Sequence, residues 1–122
     1  MGSCSVSALV GITGLTYRQL DHWIAEGIIR TAAPPPGSGH PRYVAPGEVL
    51  VACALSELRA LNAPLAALSR IAQQLRMFEH EGAFTGRVFI DSDGWISRMP
   101  HGIGTGWIID LDQIGSLVYS TH

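Results

Sequence analysis

The tightest constraint on this 122-residue chain lies between Val6 and Gly27, where two short apolar patterns are separated by a turn of only a few residues. The first, Val6 to Val10, is small and apolar, and Ser5 or Ser7 can cap it, so it predicts a helix. Gly11 and Gly14 then interrupt the pattern. Thr16 opens the second pattern, and Gln19 stands three residues on. That is the spacing of a capping box, in which each side chain satisfies the other residue's backbone N–H. Leu20, Trp23 and Ile24 fall at i, i+3 and i+4, which predicts one buried helix face. Gly27 supplies the stop. Helices joined this closely must pack on each other, and the polar start of the second, Thr16 to Gln19, is left to project from the surface.

Downstream, Ile28-Ile29-Arg30 and Arg42-Tyr43-Val44 predict two short strands around a tip rich in Pro and Gly, Pro34 to Gly39, and hence a hairpin. Pro46 suits a helix first turn. Val49, Leu50, Cys53, Leu55, Leu58 and Leu61 predict a third helix, broken at Asn62-Ala63-Pro64. Leu65, Leu68, Ile71, Ala72 and Leu75 predict a fourth, ending near Phe78. After Glu81-Gly82 the period changes. Val88 to Ile90 and Trp95 to Ser97 flank an Asp-Gly turn and predict a second hairpin. Met99 to Gly106 predicts a loop, Trp107 to Leu111 a third strand, and Asp112 the cap of a last short helix through Val118. The expected fold is mainly α with small β (α+β). A winged helix-turn-helix domain over residues 1–78 is followed by a small β-rich segment over 83–122, suited to dimerisation or sensing.

Charge limits the function classes. A net charge of −2 argues against a general polyanion binder. Its distribution is uneven: residues 1–76 carry six arginines against four carboxylates, and residues 77–122 carry two against six. Every basic residue is Arg, the side chain that meets phosphate and guanine in bidentate fashion. Cys4 and Cys53 show no metal or redox spacing; the first reads as incidental and the second as a small buried apolar residue. Asp91-x-Asp93-Gly94 lacks the remaining ligands of a calcium loop and reads as a plain turn. No nucleophile motif is present, so neither an enzyme nor a metal or cofactor site is expected. The apolar runs are too short to span a membrane, and Met1 to Ser7 lacks the pattern of a secretion signal, which predicts a cytoplasmic protein.

The strings Ile12 to Trp23, Gly27-Ile28-Ile29 and Gly37 to Tyr43 together resemble the MerR family, most closely an actinobacterial branch with a Thr-Tyr-Arg-Gln-Leu-Asp-Tyr-Trp helix and a Gly-Ser-Gly wing. The resemblance runs from about Ser5 to Arg76. It implies a sequence-specific DNA-binding transcriptional regulator, with the recognition helix 16–26 in the major groove and the wing 30–43 on the backbone. The candidate DNA-binding residues are Thr16, Tyr17, Arg18, Gln19 and His22 on the helix, with Arg30, Ser38, His40 and Arg42 on the wing. Arg18 is the best candidate base reader. Arg59, Arg70 and Arg76 read as solvated helix faces. Implied partners are double-stranded DNA, a second copy of the chain, and RNA polymerase as a further candidate. The chain departs from many members at Asp21-His22-Trp23, where they carry Arg-Tyr-Tyr. The usual Arg phosphate contact is therefore missing, and Arg18 takes it over or it is lost. The long dimerisation helix of many relatives is also missing, because Glu81-Gly82 stops the fourth helix. Two alternatives stay open: an excisionase-like DNA-architectural factor, and a protein-interaction module with a helix-turn-helix shape.

Overall fold

The structure, a computed structural model, describes residues 4–32, 42–98 and 105–120. Its elements in chain order are β1 (Cys4–Ser5), α1 (Val6–Thr13), α2 (Tyr17–Ala25), β2 (Tyr43–Val44), α3 (Pro46–Ala60), α4 (Leu65–His80), β3 (Arg87–Asp91), β4 (Ile96–Arg98), β5 (Gly106–Asp110) and α5 (Leu111–Ser120). The fold is mainly α with two small antiparallel sheets, as its hydrophobic periods predict.

Helix α1 runs through Gly11 and stops only at Gly14, so it is longer than the predicted Val6–Val10. Gly11 is exposed, and a single glycine costs a helix only about 1 kcal/mol relative to alanine. Gly14 can end the helix because it adopts φ 75°, and its N–H returns to Val10 O at 2.9 Å. Ser5 caps the start by accepting from Ala8 N–H at 3.0 Å. The Ser56 hydroxyl on α3 donates to Thr13 O at 2.7 Å and fastens the end of α1.

The predicted strand Ile28–Arg30 does not form. Ile28 and Ile29 are both buried, which an alternating strand cannot arrange. Their N–H groups turn back to Trp23 O, at 2.9 and 3.3 Å, and Arg30 N–H donates to the Glu48 carboxylate at 2.8 Å. Strand β2 pairs instead with β1, in the register Cys4↔Val44 and Ser5↔Tyr43. Cys4 is therefore a buried strand residue and not incidental. Among the described residues, Ala32 N–H donates to Tyr43 O at 2.8 Å and joins the two sides of the expected wing. The Pro- and Gly-rich tip, with Ser38 and His40, lies outside the described residues, as does most of the predicted loop from Met99.

Arg76 is no solvated helix residue. Its Nε donates to Glu48 Oε2 at 2.6 Å, and its Nη2 to Glu48 Oε1 at 2.8 Å and to Ile28 O at 2.9 Å. Glu48 is only 8% exposed, on the first turn of α3, where the helix dipole favours a carboxylate.

Residues 83–120 pack on the same body. Strand β3 lies between β4 and β5, and the inward-facing Val88, Ile90 and Ile109 join Leu55, Leu58, Ile71 and Leu75 in one core with Leu111, Ile114 and Val118 of α5. The predicted Asp-Gly turn is present. Gly94 takes φ 90°, and a Cβ there would lie 3.1 Å from Ala67 O, so glycine lets the turn press on α4. Gln74 copies a neighbouring strand: Oε1 accepts from Ile96 N–H at 2.9 Å, and Nε2 donates to Gly94 O at 2.7 Å. Arg70, expected to be solvated, donates to Asp93 O at 2.7 Å and stacks 4.6 Å from the Trp95 ring centre. Trp107 Nε1 donates to Leu61 O at 3.1 Å. Asp110, two residues earlier than the predicted Asp112, caps α5 by accepting from the N–H groups of Asp112 and Gln113 at 3.0 and 3.3 Å.

Two outcomes follow from this packing. Glu48→Ala leaves the Arg76 guanidinium enclosed without its anion and should lower stability by about 3 kcal/mol in equilibrium urea unfolding; a loss near zero would mean that the bridge does not hold the three segments. Burial, with Cys4 as a neighbour, pushes the Cys53 thiol up to about 11. The folded state thus favours the neutral thiol, and that contribution is present below the ordinary thiol value of 9.0 and lost as pH rises through about 11. In the wild type, stability should fall by up to about 2 kcal/mol more across this window than in Cys53→Ala; parallel curves would rule the thiol out as the cause.

Candidate nucleic-acid interface

The capping box predicted for α2 is complete. Thr16 Oγ1 accepts from Gln19 N–H at 3.1 Å, and Gln19 Oε1 accepts from Thr16 N–H at 2.9 Å. These two side chains hold the helix start; they are exposed, but part of their hydrogen-bonding capacity is already committed. Leu20 and Trp23 are fully buried and Ile24 half-buried, as their spacing predicts, which fixes the rotation of the helix. At 100° per residue, the opposite face is led by Arg18, His22 and Ala25, all exposed, with Tyr17 and Asp21 along one flank.

On that flank the helix meets the residue preceding β2. Arg42 Nη2 donates to Asp21 Oδ1 at 2.8 Å and to the Tyr17 hydroxyl at 2.9 Å, and the guanidinium sits 5.8 Å from the Tyr17 ring centre. The hydrogen bond to Tyr17, followed by that to Asp21, pushes the guanidinium still higher than its ordinary value, so Arg42 is a permanent cation. The pair remains open to water, with 34% of the Arg42 side chain and 55% of the Asp21 side chain exposed.

On the other side of the stripe, Arg18, Gln19 and His22 line an open groove of about 430 Å³ with Trp23, Arg59 and Leu65. Arg59, read from sequence as a solvated helix residue, is held there by donating Nη1 to Ala63 O at 2.6 Å. The structure thus gathers Thr16, Tyr17, Arg18, Gln19, His22 and Arg42 on one surface and adds Asp21 and Arg59. Arg30 is exposed elsewhere, lining a different hollow with Met77, Glu79 and Glu81. Ser38 and His40 fall outside the described residues. Asp21 had one legible signal, since it lies four residues after Tyr17 and so on the same flank; its partner Arg42 is far away in sequence and is placed by the β1–β2 pairing.

This surface runs along α2 and carries three arginines and a histidine beside a helix start. Such an arrangement suits an anionic polymer more than a small substrate. Among the described residues no group of three His, Cys, Asp or Glu side chains could hold a metal ion, and no helix is long and apolar enough to cross a membrane.

The family model described as MerR HTH family regulatory protein matches residues 4–75, which takes in β1, the helix pair, β2, α3 and most of α4. Among curated proteins, none matches the sequence. With the match covering more than half of its length, and with the helix pair, turn and capped second helix in place, this chain belongs to the MerR helix-turn-helix regulatory family.

Proposed function

We propose that the protein is a sequence-specific DNA-binding transcriptional regulator that places the start of α2 in the major groove. The observation that carries this is the rigid presentation of Arg18. A complete capping box and a buried Leu20/Trp23 face set the helix, and Arg18 heads its outward stripe. A planar guanidinium there can meet guanine O6 and N7 together. Tyr17 and His22 extend the contact along the helix. Arg42, beside Asp21 on the wing side, and Arg59, across the groove, are proposed to follow the phosphates on either side. Thr16 and Gln19 act mainly by holding the helix start. Segment 30–43 serves as the wing, with Arg30, Ser38 and His40 as its further backbone contacts.

The unit over residues 83–122 is proposed to pair two copies, because β5 is an edge strand and its Ile108 is more than half exposed. A two-fold pair would call for a palindromic site. The working protein is then a cytoplasmic regulator without catalytic activity of its own.

Selection of bound sequences from random duplexes, at fixed salt, tests the proposal. A motif should emerge, and Arg18→Ala should weaken binding to it roughly ten-fold or more, since a good bidentate base contact contributes about 1–3 kcal/mol of discrimination. Absence of any enriched motif at low salt would remove the regulator and favour a protein-interaction module.

A further inference from the structure

Two ion pairs occur among the described residues, and they differ in kind. Glu48–Arg76 is enclosed, with side chains 10% and 16% exposed, and it is bolted to backbone groups of Ile28 and Arg30. Arg42–Asp21 lies at the surface and bridges the wing side to the outer flank of α2. Solvent screens it, so it is weak and easily exchanged.

Its position gives it significance. Asp21 is the one carboxylate on α2 between Tyr17 and His22, in the middle of a surface otherwise supplied with Arg18, His22, Arg42 and Arg59. It presents an anionic oxygen 2.8 Å from Arg42 Nη2, the kind of contact a phosphate oxygen makes with a guanidinium. The Tyr17 hydroxyl, 2.9 Å from the same nitrogen, holds the guanidinium against the helix. Resting on the DNA-binding function proposed above, we infer that Asp21 is an internal stand-in for a DNA phosphate, occupying Arg42 until a phosphate displaces it, and thereby holds down the protein's affinity for duplex DNA and sets its salt dependence.

The electrostatics run in one direction. On a duplex of the wrong sequence, Arg18 finds no base partner and the register is loose. Arg42 then stays on Asp21 and contributes no net charge, or it leaves and exposes a carboxylate to the phosphates. Either course weakens the sequence-independent attraction that dominates non-specific binding. On the target, the base contact fixes the register, and a phosphate can take over Arg42 in a defined place. In a chain of net charge −2, losing one cation to an internal partner is a large fraction of its attraction for DNA.

The test is Asp21→Asn, which keeps the shape and an oxygen acceptor for Arg42 but removes the charge. Wild type and variant are titrated with the selected target and with a random-sequence duplex over a range of salt, and thermal melting is followed in parallel. We expect the variant to bind the random duplex up to about five-fold more tightly, with a log-affinity against log-salt slope steeper by about one. Its gain on the target should be at least as large, because there the wild type must break the pair before a phosphate can take Arg42. If the variant binds both duplexes equally more weakly, with the slope unchanged, Asp21 merely props Arg42 and the inference fails. It fails equally if neither affinity nor slope moves. A folded wild type with no affinity for any duplex would instead overturn the DNA-binding function itself, an outcome read from the wild-type titration alone.

Discussion

Glu48 accepts three hydrogen bonds on two oxygens: from Arg76 Nε at 2.6 Å, from Arg76 Nη2 at 2.8 Å and from the Arg30 N–H at 2.8 Å. Through Arg76 the same cluster reaches Ile28 O at 2.9 Å. These contacts join the segment leaving α2, the first turn of α3 and the second half of α4, three places far apart in sequence. An enclosed carboxylate is tolerable only with its partners in place, so the three segments have one arrangement in which the charge is satisfied. That arrangement decides where the chain goes after α2. The backbone of Ile28 to Arg30 is drawn inward, and the first arm of the expected wing does not become a strand.

The surface of α2 depends on a second, local device. The capping box and the Leu20/Trp23 face fix the helix start and its rotation without help from the C-terminal half. The α2 surface and the scaffold are thus set by different physics: short-range hydrogen bonding at the helix start, and long-range charge pairing behind it. Residues 83–120 complete the enclosure by covering α3 and α4 with α5 and the inner face of β3 and β5.

Much of this was legible in the residue order because it is local. The capping box, the three-residue and four-residue apolar spacings, Pro46 at the head of α3 and the Asp-Gly turn are all written within a few positions of each other. What escaped was long-range. Nothing near Arg76 announces Glu48, nothing near Arg42 announces Asp21, and Cys4 offers no hint of its pairing opposite Val44. Ile28-Ile29 illustrates the limit well: two adjacent branched apolar residues favour a strand by composition, yet both are buried and their N–H groups return to Trp23. Of the candidate contact residues, those on α2 could be placed by helix period alone, whereas Arg59 lies beside them and Arg30 apart from them because tertiary packing chose their surroundings.

The pairing of β1 with β2 has a consequence for how such a protein can be rebuilt. Val6 N–H also donates to Arg42 O at 3.0 Å, so the chain enters and leaves the helix-turn-helix at neighbouring points. The described residues between Cys4 and Val44 are therefore closed at their base by this pairing, with α1 resting on α3. A piece with adjoining ends can be lifted out and replaced as a cassette. Exchange between related genes at those two points would deliver a new helix-turn-helix, together with its own Tyr17–Asp21–Arg42 contact, onto an unchanged body.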